Sequence, residues 1–181
     1  MQIRETSIAG LVEITPRIFE DDRGAFFESY NQETFGKLGL PTTFVQDNQS
    51  FSIKGVVRGL HFQDAPFAQG KLVRVIAGRV LDVAVDIRPE SPTFGKYEVF
   101  ELDAKRNNMA YIPEGFAHGF MALEDSIFSY KCTNSYHKAS ESGIRWDDPV
   151  LNIDWGVSNP IVSEKDLILP TFRELFPEAA Q

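Results

Sequence analysis

The sequence predicts an all-β sandwich or barrel with short helices at its edges. Three observations carry that prediction. Short apolar or alternating runs recur along the chain, separated by turn-forming stretches such as Arg88-Pro-Glu-Ser-Pro92 and Ile112-Pro-Glu-Gly115. The 13 glycines and 10 prolines are spread as punctuation, with no linker or repeat between them. No helical pattern is long enough to be a crossover between parallel strands.

In chain order, the runs Leu11–Phe19, Thr43–Ile53, Lys71–Ala77 and Arg79–Arg88 read as strands. Tyr97–Leu102, Met109–Ile112, Phe116–Leu123 and Ile127–Thr133 complete the series. Arg79–Arg88 has the clearest period of two. Leu81, Val83, Val85 and Ile87 share one face, while Asp82, Asp86 and Arg88 share the other with Val80 and Ala84. That pattern predicts a half-buried strand with a wet outer face. Two short helices are expected, at Gln32–Leu38 and at Thr171–Phe176. The second has a Thr171 cap after Pro170 and Glu174 at the capping-box position.

With 181 residues the chain fits one domain, spanning 1–181. A chain of this size buries about 70% of its unfolded surface, enough for one sizeable core. The 15 phenylalanines and 24% charged residues exclude a disordered composition. A net charge of -8 argues against non-specific nucleic-acid binding, which needs a basic face. It leaves room for a small anionic substrate held by a few Arg and Lys. The single cysteine, Cys132, excludes a disulfide framework and zinc-ligand spacing. No apolar run is long enough to span a membrane, and the N-terminus lacks the apolar core of a signal peptide. The expectation is a cytoplasmic protein.

Only three histidines are available for chemistry: His61, His118 and His137. His118 lies in Pro113-Glu-Gly-Phe-Ala-His118, which looks like half of a cupin metal motif. The other half needs two histidines at His-x-His spacing, but here His61 is followed by Gln63. Two imidazoles without a third strong ligand make a poor transition-metal site, so no metal is expected. His118 also reads as a hydrogen-bonded structural histidine. Lys71 shares parity with Val73, Val75 and Ala77, so it points with an apolar set or snorkels to water at the strand end. Tyr130 shares a face with Phe128 and Cys132, as an inward tyrosine or an ordinary core residue. An aspartate such as Asp166 could orient His61 and raise its basicity, but spacing alone reads it as a solvated loop charge. No dinucleotide fingerprint, phosphate loop or serine elbow is present.

Taken jointly, the motifs resemble the dTDP-4-dehydrorhamnose 3,5-epimerase family, cupin-fold enzymes of rhamnose biosynthesis. The matching segments begin with Asp22-Arg-Gly24, Phe27-Glu-Ser29, Gln46-Asp-Asn48, Arg58-Gly-Leu-His-Phe-Gln63 and Gln69-Gly-Lys-Leu-Val-Arg74. They continue with Asp82-Val-Ala-Val-Asp-Ile-Arg88, Ser91-Pro-Thr-Phe-Gly-Lys96, Ile112-Pro-Glu-Gly-Phe-Ala-His-Gly-Phe120 and Tyr130-Lys-Cys-Thr133. Ile144-Arg-Trp-Asp-Asp-Pro149 and Ser163-Glu-Lys-Asp166 close the series, so the resemblance runs from about Ile3 to Phe176.

The resemblance implies a double-sheet jelly roll, a cupin-like barrel, working as a homodimer without cofactor. It implies a dTDP-4-keto-6-deoxy sugar substrate epimerised at C3 and C5, with a mono-epimerase acting at one carbon as the alternative. It makes His61 the general base, Asp166 its carboxylate partner, Tyr130 the acid on the opposite ring face, and Lys71 the cation beside the C4 oxygen. Arg23, Glu28, Gln46, Asn48, Arg58, His118, Glu141 and Lys165 become substrate contacts, and Tyr136 stacks on the thymine. Ser135 and Phe62 depart from the tyrosines common at those positions, and the Leu123–Ser126 turn is about one residue short. Arg58 and His61 have opposite parity, so both can face inward only if Gly59 allows a bulge.

Overall fold

Among the described residues, eleven strands lie in two facing antiparallel sheets, and two more form a separate ribbon. The computed structural model describes residues 1–177, so the last four positions of the expected domain lie outside it. In chain order the strands are β1 (Gln2–Glu5), β2 (Val12–Thr15), β3 (Ile18–Asp21), β4 (Gly24–Phe27), β5 (Gln46–Ser52), β6 (Val57–Gln63) and β7 (Lys71–Ala77). They continue as β8 (Arg79–Asp86), β9 (Tyr97–Asp103), β10 (Met109–Ile112), β11 (Phe116–Ala122), β12 (Ser126–Cys132) and β13 (Glu141–Gly143). One sheet has the order β1-β2-β10-β7-β12-β5 and the other β13-β6-β11-β8-β9; β3 and β4 pair only with each other. This is the double-sheet jelly roll expected.

The predicted run Leu11–Phe19 is two strands, not one. Pro16 lies between them, lacks an N–H and cannot continue a ladder. β6 escaped the periodicity reading because its alternation breaks at Gly59. β1 and β13 are short and carry no clear alternation.

Inward side chains of both sheets build one core. Val73 and Val75 of β7, Phe128 of β12, Val80 and Ala84 of β8, and Phe116 and Phe120 of β11 pack together. The stacked rings of Phe120 and Phe128, 4.3 Å apart, join the sheets at its centre. The outer face of the second sheet is covered by the C-terminal segment: Val83, Val85 and Met121 pack against Ile144, Leu151, Trp155 and Phe172. β8 is therefore buried on both sides, which corrects the expected wet face. Asp82 and Asp86 are fully buried because each has a partner. Asp82 accepts from His118, and Asp86 accepts from Arg88, Ser91 and Thr93.

Both predicted helices form. α1 (Gln32–Lys37) is capped by Asn31 and seats Phe35 on the outer face of the first sheet. α3 (Phe172–Leu175) has the expected capping box between Thr171 and Glu174. Between β13 and α3 lies an unexpected single turn, α2 (Glu164–Leu167), capped by Ser163. No helix among the described residues is long and apolar enough to cross a membrane.

Candidate active site

β6 and β11 pair with a register break: His118 faces His61, while Phe120 faces Arg58. Two residues of β6, Gly59 and Leu60, therefore oppose Gly119 alone, which is a bulge. Gly59 has φ +111°, and a Cβ there would lie 2.7 Å from the His118 carbonyl oxygen. The bulge resets the alternation of β6, so Arg58 and His61 both line the same pocket. Leu60 turns to the opposite, C-terminal side.

The floor of that pocket is made by facing sheets. His61 and His118 come from the second sheet, and Lys71, Tyr130, Gln46 and Asn48 from the first. Tyr130 lies directly across from Asn48 on β5 and from Val73 on β7. His61 Nε2 is 3.1 Å from Asp166 Oδ1, and Asp166 Oδ2 accepts from the Gly59 N–H at 3.1 Å. The α2 turn aims Asp166 inward, since Ser163 Oγ caps its backbone N–H at 3.1 Å. Burial opposes ionisation of Asp166, but His61 and the Gly59 N–H outweigh it and hold its carboxyl below the ordinary range. The other ring nitrogen of His61, Nδ1, is buried without a hydrogen-bond partner in the chain. The carboxylate on Nε2 fixes the orientation of the ring and favours its protonated form, as in the His–Asp half of a catalytic triad.

His118 repeats the pattern one strand away. Its Nε2 is 2.8 Å from Asp82 Oδ2, and both are buried. Burial lowers the His118 pKa against the pull of Asp82, so the neutral ring is favoured. Burial likewise lowers the pKa of Lys71, opposed by Cys132, Asp82 and Glu141. Lys71 is half-buried and lines the pocket, so it does not snorkel away. At the pocket mouth, Glu141 accepts from Tyr136 at 2.8 Å and from Lys165 at 2.7 Å. Arg58 donates to Ser52 Oγ at 3.0 Å and to the Phe51 carbonyl at 3.1 Å.

A family model described as dTDP-4-dehydrorhamnose 3,5-epimerase matches residues 5–174. The chain belongs to this family. It is 51% identical over 169 residues to the dTDP-4-dehydrorhamnose 3,5-epimerase of Shigella flexneri, covering 92% of this chain and 93% of that one. A crystal structure of the Elizabethkingia anophelis enzyme of the same name superposes with TM-score 0.92 at 47% identity, over 96% of this chain and 97% of that one. A Legionella pneumophila dTDP-6-deoxy-D-glucose-3,5-epimerase, solved in complex with dTDP-4-keto-L-rhamnose, gives TM-score 0.92 at 45% identity over 98% of this chain and 95% of that one.

Eleven of the thirteen positions expected from the sequence resemblance line this one pocket; Arg23 and Glu28 do not. Arg23 sits at the exposed tip of the β3–β4 ribbon, paired with Asp21 at 2.6 Å, and Glu28 accepts from Asn31. Sequence reasoning missed two site residues. Asp82 was assigned to a wet face, and the signal that it pairs with His118 lies only in the β8–β11 register. Gln63 figures in the sequence reading as the residue in place of a metal ligand and as the end of the Arg58–Gln63 motif, with no role of its own. Its amide is committed to three backbone groups, which sequence does not show. Among the described residues, no three His, Cys, Asp or Glu side chains gather as a metal site.

Proposed function

We propose that this chain converts dTDP-4-dehydro-6-deoxy-D-glucose to dTDP-4-dehydro-L-rhamnose, by epimerisation at C3 and C5. The observation that carries the reading is that base and acid candidates enter one pocket from opposite sheets. His61 stands on β6 of one sheet and Tyr130 on β12 of the other. A sugar ring lying between the sheets presents one face to each, as inversion of a carbon requires.

The proton beside a ketone is weakly acidic, so abstraction needs the enolate oxygen stabilised. Lys71 supplies a fixed cation beside the C4 oxygen, and one such donor is typically worth about 3–4 kcal/mol. His61, oriented by Asp166, takes the proton, and Tyr130 returns one from the other face. General acid–base help of this kind contributes roughly 10²–10⁴-fold. The same groups serve C3 and C5 in turn if the ring shifts between two poses. Tyr136, with half its surface free at the mouth, stacks on the thymine, and Arg58 draws the pyrophosphate.

The working unit is a homodimer. Among the described residues the β3–β4 ribbon pairs with no other strand, and an isolated two-stranded ribbon is marginal in water. Phe26 on it is 66% exposed and Phe19 50%. A second copy packed on this ribbon covers those rings, and the ribbon delivers Arg23 and Glu28 to the partner's pocket.

Turnover in D₂O tests the chemistry. Deuterium is expected at both C3 and C5 of the product, and His61→Ala is expected to abolish exchange at both while the fold stays intact. Label at a single carbon would replace this reading with a mono-epimerase, and full exchange by His61→Ala would remove the base assignment.

A further inference from the structure

We propose that Gln63 is a positioning residue for nucleotide recognition: it fixes the loop that presents Tyr136. The inference rests on the nucleotide-sugar reading above. Gln63 ends β6, two residues after His61, and only 8% of it is exposed. Its amide nitrogen donates to the Phe67 carbonyl at 2.6 Å and to the Ser135 carbonyl at 3.2 Å. Its amide oxygen accepts from the His137 N–H at 2.8 Å. Both amide donors and the acceptor oxygen are thus engaged by backbone groups.

The two residues held on the 133–140 loop flank Tyr136. The Tyr136 N–H itself goes to Gln46 Oε1 at 2.7 Å. Three consecutive backbone units, 135 to 137, are therefore pinned by two glutamines rooted in opposite sheets, β6 and β5. Gln63 also ties this loop to the 64–69 loop, where Phe67 stacks on His137 at 3.8 Å and Asn134 donates to the Pro66 carbonyl. Tyr136 carries its ring out over the pocket, with its hydroxyl on Glu141. A half-exposed ring on a free loop would lose much of its orientation before a base arrived. Holding it in advance lowers the ordering cost of binding.

None of these contacts touches His61, Tyr130 or Lys71. The effect of losing Gln63 should therefore fall on binding and spare the chemical step. Gln63→Leu is expected to raise the Kd for dTDP, measured by calorimetry, and KM for the sugar nucleotide about tenfold, with kcat within about threefold of wild type. Tyr136→Ala should do the same. The double variant should be no more than about twofold weaker than Tyr136→Ala alone, because the clamp acts only through the ring it holds. If Gln63→Leu does not fold, Gln63→Glu keeps the acceptor for His137 and sets a carboxylate oxygen against two carbonyls; the same KM-only loss is expected. Unchanged dTDP affinity in the Gln63 variants, a loss in kcat instead of KM, or fully additive effects would each overturn the proposal while leaving the nucleotide reading in place. Failure of the wild-type protein to bind dTDP would overturn both.

Discussion

Burial acts on Lys71 and Tyr130 in opposite senses, and this separates their roles by pH. Removing Lys71 from water favours its neutral amine, so its pKa lies below the ordinary lysine value. Removing Tyr130 favours its neutral phenol, so its pKa lies above the ordinary tyrosine value. As pH rises, Lys71 loses its charge before a free lysine would, while Tyr130 keeps its proton longer than a free tyrosine would. The alkaline fall of kcat is therefore expected at a pH below that of free lysine, and it belongs to Lys71. Lys71→Met should lower kcat roughly 10²–10³-fold and abolish that limb of the profile. Tyr130→Phe should instead keep the limb in the proton-exchange rate and impair inversion more than exchange. A pH–rate profile of both variants, followed with solvent deuterium, checks the assignment.

The bulge in β6 is the element on which the site depends. A regular strand would aim either Arg58 or His61 away from the pocket, because side chains alternate. Gly59 makes the bulge possible, since its backbone is left-handed and its Cα faces Gly119 and the His118 carbonyl. Its N–H is also one of the two donors on Asp166. Gly59→Ala places a methyl group where there is no room in backbone. It is expected to cost about 2–4 kcal/mol in denaturant unfolding. Its kcat loss should resemble that of Asp166→Asn, because both loosen the His61–Asp166 pair. A variant of full stability and full activity would show that the bulge is not needed.

At the scale of the whole molecule, eleven of the thirteen expected site residues line one pocket within a single chain, and Arg23 and Glu28 lie outside it. Light scattering should report a dimer. Mixing His61→Ala chains with Arg23→Ala chains tests the shared pocket directly. In a mixed dimer, one pocket would have an intact His61 from its own chain and an intact Arg23 from its partner. Random re-association should then restore about a quarter of wild-type activity. No recovery from the mixture would place Arg23 in its own chain's pocket, and full activity of Arg23→Ala alone would place it outside the reaction.

Most of the strands, two of the helices and the Thr171–Glu174 capping box were legible in the sequence, because alternation, Pro and Gly punctuation and capping residues are local signals. Chain-wide motif order also carried the family, the fold and eleven of the residues that line the pocket. Local pattern by itself left His61 and Tyr130 closer to core than to catalyst, Lys71 between an apolar face and water, and Asp166 a solvated loop charge, since it states a face and not a neighbour. The structure decided what depends on contacts distant in sequence. The C-terminal segment covers β8, so Asp82 is buried and held against His118. The bulge at Gly59 overrides strand parity and turns His61 and Arg58 the same way. Gln63, a residue that looked like a missing ligand, spends its amide on backbone more than 70 positions away. Each of these is a pairing across sheets or loops, and only the folded chain brings such partners together.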